Sequence, residues 1–226
     1  MLRRVLIALS FLLPIMATAQ PMAPGMPRAG IDYEELQTPQ PVFSAVKGKI
    51  EVVEVFSYAC GHCASFQPLV TAWKKKLPAD VNFIYLPSVG QGSWERLARG
   101  FYAAESMKIQ VRSHEALFKA IHVEHKLSHN ISLDEIADFY ATYGVGKNVF
   151  IDAMMSKQVS DKTEKSKTFT IRTGANSTPT IVINGKYKII ATQDRGFEGM
   201  IKTIDFIIAK ERVAMKAAKT KVSAKQ

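Results

Sequence analysis

Residues 48 to 56, GKIEVVEVF, are apolar and β-branched, and four residues later the chain reads Cys60-Gly61-His62-Cys63. From there the apolar residues take helical spacing, at Phe66, Leu69, Val70, Trp73 and Leu77. A strand running directly into a helix leaves few choices of fold. The strand's alternation is weak, which predicts burial on both faces. The helix is a crossover if the next strand, Val81 to Leu86 (VNFIYL), lies parallel to the first. Pro68 inside the helix predicts a kink, and Pro78 and Asp80 end it.

Residues 93 to about 172 are patterned differently. Ser93 to Met107 places apolar residues at 94, 97, 98, 101 and 102, and Val111 to Val123 is similar. Ser132-Leu133-Asp134-Glu135 is a capping box that opens a helix through Tyr143, closed by Gly144. Lys147 to Met155 and Lys162 to Arg172 continue the helical pattern. Strands return with Thr180 to Ile183, Asn184-Gly185, then Lys186 to Ile190. Asn-Gly between two β-branched runs is a hairpin signal, because both central residues of a type I′ turn need positive φ. A last helix spans about Phe197 to Ile208. The expected fold is α/β: a mixed sheet built from 40–92 and 173–209, with an all-helical insertion at 93–172.

The chain ends carry their own signals. Arg3 and Arg4 precede an apolar run of 12 residues, Val5 to Met16, and Ala17-Thr18-Ala19 has small residues at both positions of an A-x-A cleavage site. That order reads as a secretory signal peptide over 1–19, too short and Pro-interrupted for a spanning helix. Export places the mature chain where disulfides persist. Pro21, Pro24, Gly25 and Pro27 predict a flexible leader over 20–39. Of the formal +10, Arg3 and Arg4 supply two and the tail from Lys210 supplies five, leaving +3 on residues 20–209. The basic balance belongs mainly to the tail, 210–226, read as a solvated, fraying helix end with a membrane-surface role as the alternative. A nucleic-acid face is not expected, since basic residues form no stripe interleaved with exposed aromatics.

The chain has two cysteines, and both sit at the start of the first helix. Positions i and i+3 share one side of a turn, close enough for a disulfide. The first faces free backbone amides and the positive end of the helix dipole, which favour a thiolate, the reactive species. Cys60 is therefore the candidate nucleophile and Cys63 its buried, resolving partner. A lone pair of this spacing is also half a zinc site, for which His122, His125 and His129 could be proposed as further ligands. An inert structural bridge is the other reading, although so short a loop constrains the unfolded chain little. Protonated His62 would favour a thiolate at Cys60. Glu54, inside the buried run, is a candidate proton donor or acceptor for Cys63 through water; the alternative is an edge-facing Glu paired with a Lys. Thr178-Pro179 precedes the TIVI strand, where a cis bond would leave the Thr178 backbone free to pair with an extended peptide; the alternative, which the rarity of cis X-Pro bonds favours on sequence alone, is an ordinary trans turn.

Together these stretches resemble the thioredoxin superfamily and, within it, the DsbA family of periplasmic thiol:disulfide oxidoreductases. The resemblance rests on VVEVFSYACGHC (Val52 to Cys63), the helical insertion and STPTIVINGKYKI (Ser177 to Ile189), and covers residues 40 to 208. It implies a thioredoxin-like sheet interrupted by a helical domain. It implies catalytic Cys60 and Cys63, Glu54 as the buried acid, Pro179 as a cis-proline, and Thr178 contacting substrate main chain. DsbA proteins commonly carry Pro-His between the cysteines; Gly61-His62 is the dipeptide associated with protein disulfide isomerases, and it helps set thiolate stability. The implied activity is donation of the Cys60–Cys63 disulfide to folding exported proteins in the periplasm. No cofactor beyond that cysteine pair and no metal is expected. The implied partners are reduced, unfolded clients and a quinone-linked membrane oxidase of the DsbB type, with the chain a monomer. The alternatives are a reductase or isomerase of the same compartment and a non-enzymatic binding protein with a structural bridge. For the isomerase, the 20 to 30 residues ahead of the first strand read as too few for a dimerisation domain.

Overall fold

The computed structural model of the chain describes residues 25–223. The segment read as an export signal lies outside the described residues. The elements in chain order are β1 (Glu34–Glu35), β2 (Ile50–Phe56), α1 (Gly61–Lys74), β3 (Val81–Pro87), α2 (Ser93–Ser106), α3 (Gln110–His122), α4 (Leu133–Ala141), α5 (Lys147–Met155), α6 (Lys157–Thr173), β4 (Thr180–Ile183), β5 (Tyr187–Ile189) and α7 (Gly196–Ser223). The five strands form one mixed sheet in the order β1-β5-β4-β2-β3.

β2 is central, and every residue of it is buried. Ile50 and Val52 pack on one face against Phe66 and Val70 of α1 and Ile204 and Ile207 of α7. Val53 and Val55 pack on the other against Phe169 of α6, with Leu86 and Val182. This two-sided cover is why the run does not alternate. β3 pairs parallel to β2 and β4 antiparallel, as the crossover helix and the hairpin require. Helices α2 to α6 lie between β3 and β4 and share a core that reaches back to Phe56, Tyr58 and Cys63. Pro68 lies inside α1 without ending it.

The hairpin turn shows why its two residues are Asn and Gly. Asn184 and Gly185 have φ of 49° and 61°. The Asn184 side chain accepts from the Glu51 N–H at 2.8 Å and donates to Glu211 of α7 at 2.7 Å. A Cβ on Gly185 would stand 2.0 Å from the Gln40 carbonyl oxygen.

Two expectations need correction. The leader is not without structure where it is described: Glu34 and Glu35 form β1, pairing antiparallel with Lys188 and Tyr187 of β5. Positions 31–38 hold neither Pro nor Gly, so the residues there can accept a ladder. The last helix does not stop at Ile208, although its residues past Arg212 are mostly exposed. α7 runs unbroken from Gly196 to Ser223, held past Ile208 by buried Glu211, which pairs with Lys186, and by Arg212, which forks onto Asp80 at 2.6 and 2.9 Å.

Candidate active site

The sheet register assembles the site. Val55 stands opposite Thr180, so the residues before β4 fall beside the end of β2. That brings Thr178-Pro179, joined by a cis peptide, to the start of α1. The thiol of Cys60 donates to the Thr178 carbonyl oxygen at 3.3 Å, across 118 residues of sequence. Pro179 is buried and Thr178 half-buried.

Cys60 is the N-cap of α1, with extended backbone (φ −90°, ψ 114°), and its sulfur accepts the Cys63 N–H at 3.4 Å. A side-chain acceptor at this position satisfies one of the orphan amides of the first turn. Both cysteines are free thiols, Cys60 half-buried and Cys63 wholly buried. The Cys60 pKa is drawn down to about 5, first by the hydrogen bond from the Cys63 side chain. Burial opposes the shift; the Thr178 side chain and the amides of Cys63 and His62 add to it. The bond to the Thr178 carbonyl needs the thiol proton and is lost on ionisation. Cys63 is pushed the other way, far above the ordinary thiol range, by burial and then by its neighbour Cys60. One sulfur is thus held ready as an anion and the other as a thiol.

His62 is exposed, and its ring hydrogen-bonds to no described residue. It lines a cavity of about 400 Å³ with Ser177, Thr178, Pro179, Ala191, Thr192 and Phe197, among others. The His62 group that lowers the Cys60 pKa is the backbone amide.

Glu54 lies in the centre of β2, opposite Tyr85 on β3 and Ile181 on β4, and is 1% exposed. It is not at a sheet edge. One carboxyl oxygen has no hydrogen-bond partner among the described residues. Burial pushes its pKa up to about 8; Lys74 pulls against that and Cys60 adds to it. At neutral pH the carboxyl is mostly protonated.

Three contributors were not singled out from the sequence. Lys74, at the end of α1, stands over the rings of Tyr85 and Phe83, 4.1 and 4.9 Å from their centroids. Its pKa is lowered, first by burial, while Glu54 opposes. The available signal was helical phase, since Cys63, Gln67 and Lys74 share one face of α1. Gln67 and His114 form a buried polar chain behind Tyr58. The Gln67 amide NH2 donates to Thr71 and to the Tyr85 hydroxyl, at 3.2 and 2.9 Å. Its oxygen therefore accepts from His114 Nε2 at 3.3 Å, and His114 Nδ1 accepts the Tyr58 hydroxyl at 2.7 Å. Burial, then Lys74, drives the His114 pKa down to about 3. His122 Nε2 lies 2.7 Å from the Tyr58 carbonyl oxygen. Tyr58, two residues before Cys60, is thus fixed at both ends by α3. These His contacts carry no sequence signal, because they join residues 56 and 64 positions apart.

Residues 39–205 match the family model described as Thioredoxin. The thiol:disulfide interchange protein DsbA of Pseudomonas aeruginosa is 41% identical over 188 residues, which are 83% of this chain and 87% of that protein. The crystal structure of Pseudomonas aeruginosa DsbA superimposes with a TM-score of 0.76 at 40% identity, covering 84% of this chain and 96% of that one. That of the oxidoreductase DsbA from Xylella fastidiosa gives 0.76 at 36% identity, covering 80% and 96%.

Proposed function

The chain belongs to the DsbA family of thioredoxin-fold thiol:disulfide oxidoreductases, and from that premise we propose that it donates the Cys60–Cys63 disulfide to exported proteins folding in the periplasm. The observation that carries this reading is the split between the two sulfurs, one capping α1 with its pKa near 5 and the other buried as a thiol. An anion stabilised in the reduced state makes reduction favourable, so the disulfide is an oxidant.

The steps follow from thiolate exchange. A substrate thiolate attacks the Cys60 sulfur. The Cys60–Cys63 bond breaks, a mixed disulfide forms, and Cys63 leaves with the electron pair. Cys63 cannot remain an anion in its buried place, so it takes a proton, and neutral Glu54 is the nearby store, acting through water. Lys74 offsets the charge then left on Glu54. A second substrate thiolate attacks the substrate sulfur of the mixed disulfide, and Cys60 departs as the stabilised thiolate. The substrate loses two electrons and the enzyme gains them. A quinone-linked membrane oxidase of the DsbB type completes the cycle by restoring the bridge.

The client lies extended along the cavity bearing His62, Thr178 and Pro179. Pairing with the Thr178 main chain would tolerate many sequences. A protonated His62 ring would favour the Cys60 thiolate by its charge.

Two ribonuclease assays and one equilibrium test the reading. Reduced ribonuclease should be oxidised rapidly, while scrambled ribonuclease should regain little activity. Against glutathione, the Cys60–Cys63 pair should stand as the more oxidising couple. A pair that glutathione leaves oxidised, or efficient unscrambling, would favour a reductase or isomerase instead.

A further inference from the structure

The cavity that carries His62, Thr178 and Pro179 is completed by a loop. Ile190, Ala191, Thr192 and Gln193, between β5 and α7, line it together with Phe197. Apart from a bridge between Thr192 and Gly196, this loop has no ladder to hold it. Segments so placed are ordinarily the mobile ones, yet a groove wall must keep its position to bind a chain tightly.

The wall is fastened from behind through one carboxylate of the leader. Asp32 is 2% exposed. It accepts from the Thr192 hydroxyl at 3.3 Å and from Arg195 Nη1 at 2.9 Å, both on the loop. It also accepts the backbone N–H, Nε and Nη2 of Arg28 at 2.7, 2.9 and 3.1 Å. Arg28 reaches on to Asp194 at 2.6 Å, and Arg195 reaches back to the carbonyls of Gly25 and Met26. Two guanidiniums and two carboxylates thus join positions 25–32 to positions 192–195. The Arg28 hydrogen bond, ahead of Arg195, holds the Asp32 carboxyl far below the usual carboxylate range. None of these side chains hydrogen-bonds to Cys60, Cys63 or Glu54. A buried carboxylate gathering five donors is costly unless its geometry is kept. The loop backbone is what that geometry fixes.

We infer that Asp32 is a positioning residue for polypeptide substrates: through Thr192 and Arg195 it sets the loop wall that shares the cavity with Thr178 and Pro179, so that an extended chain is held on both sides while its cysteine reaches Cys60. This rests on reading the cavity as the client groove. It predicts a separation between large and small thiols. A peptide needs both walls, whereas dithiothreitol needs only the sulfur.

The test is Asp32→Asn in the full chain, which keeps the side-chain size and removes the charge. With a cysteine-containing peptide, KM should rise about five- to tenfold while kcat stays within about twofold of the parent. Oxidation of dithiothreitol and the equilibrium with glutathione should not change. An unaltered peptide KM, or a parallel loss with dithiothreitol, overturns the inference. Should Asp32→Asn fail to fold, Arg28→Gln removes one of the two guanidiniums from a half-exposed position. It should raise the peptide KM about two- to threefold in the same pattern, and an unchanged KM there is equally decisive against the inference. A parent chain that oxidises dithiothreitol but no peptide would instead strike the groove reading itself, and the inference with it.

Discussion

The main-chain N–H of Cys63 lies 3.4 Å from the sulfur of Cys60, so the atom proposed to react is itself the cap of the helix behind it. Capping and catalysis usually fall to different residues. Here the acceptor that satisfies the first turn is also the group that must bear charge, and each task improves the other. A more anionic sulfur is a better acceptor, and a better-aimed amide holds a more stable anion. Cys63 contributes twice, through its amide and through its thiol, and the thiol leads among the causes that lower the Cys60 pKa.

Cys63→Ala separates those two contributions. It leaves the amide in place and removes the thiol donor. The Cys60 pKa should rise from its place near 5 by about one to two units, the worth of one hydrogen bond to a charged acceptor. Ultraviolet absorbance of the thiolate against pH reads the change. An unmoved titration would assign the whole depression to the helix end.

Glu54→Gln tests the proton store and carries a stability signature. Burial raises the folded-state pKa of Glu54 from 4.5 to about 8. A group bound more tightly to its proton in the folded state stabilises the fold fully below the unfolded pKa, and that contribution is lost as pH rises toward the folded one. Gln cannot ionise, so the variant should be more stable than the parent near pH 8, on the order of a few kcal/mol, and close to it near pH 4. The loss of a counter-charge for Lys74 trims the gain. Denaturant midpoints at the two pH values give the comparison. In the same variant the step that releases Cys63 should slow, and unchanged exchange rates would reject a proton role for Glu54.

What could be read from the sequence was whatever local chemistry dictates. β2, the start of α1 and the β4–β5 hairpin follow from β-branched runs, a cysteine pair at a helix start and an Asn-Gly turn, all within a few residues of one another. The Ser132 capping box opens α4 as its spacing predicts, with both reciprocal bonds present. β1 escaped because Glu34 and Glu35 are exposed acidic residues whose strand character comes only from β5. α7 was cut short because the residues past Ile208 look solvated until Asp80 and Lys186, distant in sequence, meet Arg212 and Glu211. Asp32 and Lys74 were missed for the same reason. Their meaning lies in partners that only the folded chain supplies: Thr192 and Arg195 for the first, and the buried carboxyl of Glu54 for the second.

Gly185→Ala tests how tightly the hairpin is bound to the segment before β2. Two things forbid a side chain there: φ is 61°, and an added Cβ would stand 2.0 Å from the Gln40 carbonyl oxygen, backbone that cannot swing aside. Gln40 is also tied to the turn by its own N–H, which donates to the Gly185 carbonyl at 2.7 Å. The substitution should cost at least about 2 kcal/mol. A melting temperature within error of the parent would mean that the Gln40 segment can move without loss.

His114 should make the fold acid-sensitive. It is 3% exposed, accepts the Tyr58 hydroxyl and donates to Gln67, an arrangement that only the neutral ring can make. Burial lowers its folded-state pKa from 6.5 to about 3. The sign is opposite to that of Glu54. Below pH 6.5 the unfolded chain takes up a proton that the folded chain refuses, so stability present above that value is lost progressively down to about pH 3. From pH 7 to pH 4 the parent should lose a few kcal/mol at this one position. His114→Gln keeps a polar group in the chain of hydrogen bonds and cannot titrate. It should be less stable than the parent near pH 7, by about 1–2 kcal/mol for imperfect replacement of two buried hydrogen bonds, yet lose less between pH 7 and pH 4. The two stability curves should therefore converge as pH falls and cross before pH 4. Parallel curves would show that the folded protein accepts the proton at His114, and that the Tyr58 hydroxyl turns to serve as acceptor for it.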